Sequence, residues 1–472
     1  MKKIIYLGLI ACCSFTACNK FLDIKPVDKI LETEVYKDEK SVQVALNGIY
    51  MRMAKPELYG GKMTMQTLDI LGQYYNIGSA HTYTQLFTYK YADPTVQQEF
   101  ETIWSAAYAN ILNVNNFIEK LQQATFAMDK TSKDIMLGEA IGMRAFVHLD
   151  MLRVFGPIPS LDPNKESIPY VRSASSKTEK LLPLNEVITN ILADIKQATL
   201  LLENDPVRKE GVQKTNESLT DNFFRMRNRR MNYYAVLALK ARAELYSGKK
   251  SEAYLTAKGI LSDLDKYFKW TVPTTIISNP DNPDRLFSPE IIFGVQNDQM
   301  YAIYDRSFNP ALTTNAILVP AKAALDNVFE KNTSDYRYFS WLTPTIGNYE
   351  KVFVKFQDVQ NKSADFRYFQ PLIRKSEIYL ILTETAPNDS EALGYLNALR
   401  NNRGLADLVV IGNRITAVDI EFRKEFYGEG QLFFYNKRLA KTSVPNPTNS
   451  STKPIALENY LVPLPLSETN NR

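Results

Sequence analysis

Residues 231–264 restrict what this chain can fold into more than any other stretch. Met231 to Ser247 is rich in Ala and Leu, Gly248-Lys249 interrupts it, and a second helical pattern runs from Lys250 to Leu264. Ala and Leu are strong helix formers, and small side chains let two helix axes approach closely. Glycine between the two segments supplies the turn. The stretch therefore predicts a helical hairpin, and a one-sided apolar helix needs further helices to cover it.

Further segments supply them. Apolar spacings of three, four and seven predict helices over Thr33–Met53, Phe100–Gln122 and Asp134–Phe155. Pro183-Leu184-Asn185 opens another, running to about Asn204. Ile373–Thr385 with Ser390–Asn401, and Ala417–Tyr427 with Glu429–Arg438, read as two more pairs. Trp104 lies on a regular apolar face and is expected in the core. The hairpins resemble tetratricopeptide-type repeat units. The expected fold class is mainly α, with tetratricopeptide-like helical hairpins forming a scaffold.

Tyr267 to Gln370 breaks this pattern. Prolines recur at Pro273, Pro280, Pro283, Pro289, Pro310, Pro320 and Pro344, among Asn, Asp, Ser and Thr. Ala321–Glu330 reads as helix, and Ile291–Val295 and Val352–Phe356 as short strands. A long loop-rich segment inside a folded chain is usually functional. Val444–Lys453 reads as a loop, and Leu461–Pro465 as extended chain.

The N-terminus carries an export signal. Lys2 and Lys3 precede an apolar run from Ile4 to Phe15, too short to span a bilayer, and Thr16-Ala17 places small residues before Cys18. This order predicts a leader over 1–17, acylation of Cys18, and one mature body over 18–472. Leu9-Ile-Ala-Cys12 is a rival match with a very short apolar run, and an ordinary cleaved signal with Cys18 incidental is the other reading. Asn19 to Asp28 is expected to be extended. All three cysteines, Cys12, Cys13 and Cys18, lie at this end, so a mature chain has no disulfide. The 472 residues carry a net charge of +4, and loss of Lys2 and Lys3 lowers it by two. Such a balance gives no electrostatic case for nucleic acid.

Several blocks coincide in order. They are Cys18-Asn-Lys-Phe-Leu-Asp23, then Glu139-Ala140 through Arg144-Ala145 to Phe155-Gly156-Pro157-Ile158-Pro159, then Tyr233–Tyr246. Ile373–Glu384, Ala392–Leu405, Glu421–Arg438 and Tyr460–Glu468 follow. Together they resemble the SusD/RagB family of surface lipoproteins. The chain departs from the family pattern at Phe422 and Leu432, where Arg is usual, and at Tyr435, where Asp is usual. The resemblance implies a non-catalytic lid on a SusC-like TonB-dependent outer-membrane barrel, with a glycan or peptide ligand and no cofactor. A surface glycoside hydrolase, a peptide-binding RagB-like protein and an adhesin are the alternatives.

The residues agree that catalysis is not the expectation. His81 and His148 are the only histidines, so a multi-histidine metal site is not expected. His148 sits mid-helix and reads as packed. Arg144, Arg153, Arg242 and Arg400 read as ion pairs between helices. The chain has 27 Tyr, 24 Phe and 3 Trp, a surplus suited to stacking on sugar rings. The resemblance places the ligand between an early segment and the irregular one. Those are Gln73 to Tyr83, and Gln296 to Trp341. The candidates are Tyr74, Tyr75, Asn76, His81, Tyr83, Tyr301, Tyr304, Arg306 and Trp341.

Overall fold

The computed structural model describes residues 36–175 and 177–470. The leader, Cys18 and the stretch 19–28 lie outside the described residues. Helix α1 spans Glu39–Met53, α2 Pro94–Gln123, α3 Lys130–Phe155 and α4 Leu184–Leu201. The sequence pattern opened α1 at Thr33, but Tyr36 to Asp38 form a turn and bends. Asp38 is extended, and its carboxylate accepts the Ser41 N–H at 2.7 Å, which fixes the start one residue later. Asp93 and Asp129 cap α2 and α3 in the same way.

The hairpin at the centre is α5, Tyr233–Tyr246, and α6, Lys250–Tyr267. Gly248 between them has φ +80°, a backbone region that residues with a Cβ rarely adopt. Helix α7 spans Met300–Ser307 and α8 Lys322–Val328. Lys375–Thr385 (α9), Asp389–Asn401 (α10), Arg414–Glu425 (α11) and Leu432–Arg438 (α12) complete the α-helices of seven residues or more among the described residues. Neighbours pack in series: α2 on α3, α3 on α4, α4 on α5, α5 on α6, α6 on α9, α9 on α10 and α11. That is the expected scaffold of stacked hairpins.

Strand is confined to four antiparallel two-stranded ladders among the described residues. They pair Glu166–Ile168 (β1) with Leu182–Pro183 (β2), and Ile291–Gln296 (β3) with Phe369–Arg374 (β6). Trp341–Leu342 (β4) pairs with Val352–Phe353 (β5), and Ser443–Pro445 (β7) with Thr452–Pro454 (β8). The pairing of β3 with β6 closes residues 297–368 into one excursion from the scaffold. Gly294 sits at its centre because a Cβ there would lie 2.5 Å from the Gln370 carbonyl oxygen. This ladder also takes Ile373 and Arg374 out of the helix that periodicity assigned them to. The β7–β8 hairpin corrects Val444–Lys453 from a plain loop.

A buried charge network fastens the excursion to α10 and α11. Glu425 accepts from Arg337 at 3.0 Å and Arg403 at 2.7 Å, and also from Arg374. Arg403 reaches Glu290 at 2.6 Å, and Arg337 reaches Asp335 and Glu421 at 2.6 Å each. Glu429 binds Arg374 at 2.9 Å and Lys355. Arg144–Asp194, Arg242–Glu377 and Arg400–Glu421 bridge helices as expected. Arg153 instead pairs with Asp150 one turn earlier on its own helix, and with Gln431 at 3.0 Å. Trp104 is buried against Phe155, with ring centres 5.0 Å apart.

Candidate functional site

Two segments far apart in sequence are laced together beside the excursion. The Asn76 N–H donates to the Val319 carbonyl at 2.9 Å, and the Thr82 N–H to the Asn315 carbonyl at 2.9 Å. Between them lies His81, buried. Its Nδ1 accepts the Tyr83 N–H at 3.1 Å, so Nε2 carries the proton and donates to the Ile317 carbonyl at 3.2 Å. Burial holds the imidazole pKa below its ordinary value, against the opposing pull of the Ile317 carbonyl. Ile317, Val352 and Val354 form a small apolar cluster beneath, with Tyr349 and Leu312 packed on it. The Tyr349 hydroxyl donates to the Leu312 carbonyl at 2.5 Å.

Two clefts open beside this junction. The larger is an open depression of about 970 Å³, solvent-facing space included, bordered by Tyr301, Tyr304, Asp305, Asn309, Ile346 and Asp358. Of the bordering rings, Tyr301 is held from behind by residues that do not themselves line the cleft. Tyr301 lies 4.6 Å from Tyr368, ring centre to ring centre, and Arg367 covers both rings at 5.3 and 4.7 Å. Asp358 holds that guanidinium through two bonds of 2.8 and 2.9 Å, a rigid fork. Burial pushes the Tyr301 and Tyr304 phenols up to about 12, so both are neutral donors at ordinary pH. The second cleft, about 600 Å³, is bordered by Asn76, Lys322, Asn348, Tyr349 and Lys351. Aromatic rings held beside carboxylate, amide and cationic groups are suited to gripping a polyhydroxylated ring. Among the described residues no cluster of three or more His, Cys, Asp or Glu could hold a metal ion.

Comparison with known proteins addresses the architecture. Residues 20–218 match a family model described as starch-binding and associating with the outer membrane. A SusD-like protein P2 from Formosa agariphila is 27% identical over 201 residues, 42% of this chain and 38% of that protein. The SusD-like protein P38 of the same organism is 24% identical over 207 residues. Among solved structures, a SusD superfamily protein from Bacteroides thetaiotaomicron superposes with a TM-score of 0.72 at 19% identity. It covers 92% of this chain and 97% of its own. Over residues 20–218 the chain is similar to the SusD-like family, and over nearly its whole length it has the SusD-like fold.

Other SusD-like structures agree in fold. A putative sugar-binding protein from Bacteroides vulgatus gives a TM-score of 0.67 at 20% identity, covering 91% of this chain and 96% of its own. Surface glycan-binding protein A from Bacteroides uniformis gives 0.66 at 17% identity, covering 92% and 98%. The match to the curated F. agariphila relatives spans 38% of their length. No helix among the described residues is long and apolar enough to cross a membrane.

The residues expected at a SusD-like site separate into three groups. Tyr301 and Tyr304 border the larger cleft and Asn76 the smaller. His81, Tyr83 and Arg306 sit at the junction. Tyr83 is half-buried, 5.8 Å from the His81 ring, and Arg306 is exposed. Tyr74, Tyr75 and Trp341 are corrected to core. The Tyr74 hydroxyl donates to the Arg423 carbonyl, and its ring centre lies 3.9 Å from that of Tyr427. Tyr75 donates to the Met65 carbonyl at 3.1 Å. Trp341 packs between Phe353 and Tyr427. These three rings are closed off from solvent, so none offers a face to a ligand.

Tyr349 at the smaller cleft, and Arg367 and Tyr368 behind Tyr301, lie beyond Trp341, where the expected site ends. Tyr349 had a signal, since Gly347-Asn348 marks an exposed turn. Arg367 and Tyr368 had none, because their place beside Tyr301 depends on the β3–β6 pairing.

The departures from the SusD-like pattern also acquire a structure. Phe422 lies nearly parallel to Tyr435, with ring centres 4.2 Å apart and planes 19° apart. Two of the positions at which the sequence departs from the expected pattern thus meet as stacked rings. Leu432 is buried, its Cβ near Gly72, so an apolar residue suits its place.

Proposed function

We propose that this SusD-like chain is a non-enzymatic surface lipoprotein that binds a saccharide in the junction cleft and delivers it to a TonB-dependent outer-membrane barrel. The observation that carries the reading is that Tyr301 and Tyr304 border an open cleft together with Asp305, Asn309 and Asp358, with Tyr301 fixed in place by Tyr368 and Arg367. A sugar's C–H face packs on such rings, while Asp305, Asn309 and Asp358 meet its hydroxyls. Solved relatives described as sugar-binding and glycan-binding support the ligand class.

In this reading residues 1–17 are removed, Cys18 is acylated, and residues 18–472 act as one lid. Each buried CH₂ of an acyl chain adds about 0.8 kcal/mol, so several chains hold the protein at the outer membrane while leaving it free to swing. The stacked helices supply the broad surface that rests on the barrel. The test is affinity purification of the tagged protein from detergent-solubilised membranes of its own host. A barrel of the TonB-dependent type should copurify, and Cys18→Ala should leave the membrane fraction. Recovery of the protein without any barrel, or membrane retention of Cys18→Ala, would contradict the reading.

A further inference from the structure

Four arginines fall within six residues, Arg225-Met-Arg227-Asn-Arg229-Arg230. Two are satisfied. Arg227 is buried and forks onto Asp205 at 2.8 Å through two bonds, with Glu139 on its other side. Arg230 reaches Glu139 at 3.3 Å and Asn47 at 2.7 Å, and lies 3.8 Å over the Phe223 ring. Arg225 and Arg229 differ. Among the described residues neither has a carboxylate within ion-pair distance. Arg225 donates only to the Lys214 carbonyl. Arg229 donates to the Gln296 side-chain oxygen at 2.8 Å and to the Asp365 backbone carbonyl, and its Nε is buried without a partner. The Asp365 carboxylate is engaged by Lys214.

These groups border one cleft of about 800 Å³, with Arg225, Arg229 and Arg230 on its wall and no acidic residue there. Phe223, Asn222 and Gln296 complete the face that matters. Burial lowers the Arg229 pKa, and the nearby Asp365 offsets this only in part. A partly desolvated cation without a counter-charge is costly, and an arriving anion relieves that cost. Guanidinium forks match the flat oxygens of carboxylate and sulfate groups, and amides match hydroxyls.

We propose that this cleft is a second binding site, one that takes the carboxylate or sulfate of an acidic saccharide. Arg225 and Arg229 grip the anion, Phe223 holds Arg230 in place at the cleft wall, and Asn222 and Gln296 meet hydroxyls. The site is distinct from the two junction clefts, with which it shares no bordering residue. It therefore stands whether or not the first reading holds.

The test is calorimetric titration of the full chain with trigalacturonate, a sulfated galactose trisaccharide and uncharged galactotriose. At least one charged probe should bind about tenfold or more tightly than the uncharged one. Rising salt should erode that advantage. Arg225→Gln, whose only lost bond is to a surface carbonyl, should weaken the charged probe alone, and Arg225→Gln/Arg229→Gln should abolish the difference. Gain with trigalacturonate only assigns a uronate site, and gain with the sulfated probe only assigns a sulfate site. Equal binding of all three, no binding of any, or an advantage that survives both substitutions would overturn the proposal.

Discussion

The Nε2–H of His81 donates to the Ile317 carbonyl at 3.2 Å, joining two segments 236 residues apart at the edge of the candidate site. The ring is neutral because Nδ1 is occupied by the Tyr83 N–H. Protonation would set two N–H groups against each other. His148 is held similarly: Nε2 accepts the Val171 N–H and Nδ1–H donates to the Arg144 carbonyl. Burial lowers its pKa to about 3.

Both shifts run downward from 6.5, so the unfolded chain binds more protons below that pH. The histidine contribution to stability is complete above pH 6.5 and declines as pH falls towards the folded values. With two histidines in the chain, carbon–proton NMR of their Cε1 groups resolves each. At pH 5.5 the His148 signal should still report a neutral ring, and that of His81 a midpoint below 6.5. A His148 midpoint near 6.5 would contradict the arrangement.

Glu425 is the hub of the buried charge network, and its removal should be severe. Burial pushes its carboxyl up, but Arg403, Arg374 and Arg337 outweigh burial and hold it well below the usual carboxylate range. Glu425→Gln leaves three buried guanidiniums short of counter-charge and should cost about 3–5 kcal/mol. The Glu425 contribution is present above its unfolded pKa and is lost as pH falls through the folded one. Urea unfolding of both proteins across the acid range checks this: their difference should narrow on acidification.

Trp341 should matter to folding rather than to ligand. It packs against Phe353 and Tyr427 in the core, and Trp341→Ala should cost about 3–5 kcal/mol in chemical denaturation. A stability unchanged within a few tenths of a kcal/mol would place the ring outside the core.

Phe422 stacks on Tyr435, and the two positions should be energetically coupled. Phe422→Arg and Tyr435→Asp should each destabilise the fold. The double substitution should cost less than their sum by about 0.5–3 kcal/mol. Additive costs in urea unfolding would show that the rings are not exchanged as a unit.

Much of the scaffold was legible because it rests on local signals. The α5–α6 hairpin follows from Ala-rich helices and Gly248, and the family blocks mark the order of the rest. Boundaries that depend on distant partners were not legible. Ile373 and Arg374 carry a helical pattern, yet β3 claims them as strand. The site divided in the same way. Tyr301, Tyr304 and Asn76 border clefts, as residues of irregular chain at the surface can. Tyr74, Tyr75 and Trp341 share that composition, but tertiary contacts with Arg423, Met65 and Phe353 draw them inside. An aromatic residue in a loop has the same appearance in sequence whether its ring faces solvent or core.

Calorimetric titration of the wild-type chain and of Tyr301→Ala with a panel of neutral oligosaccharides tests the central claim most directly. The wild-type chain should bind at least one oligosaccharide without cleaving it. Tyr301→Ala should keep its melting temperature and lose about tenfold or more in affinity, near 1.4 kcal/mol. Equal affinity of the two proteins, or no binding by the wild-type chain, would contradict it.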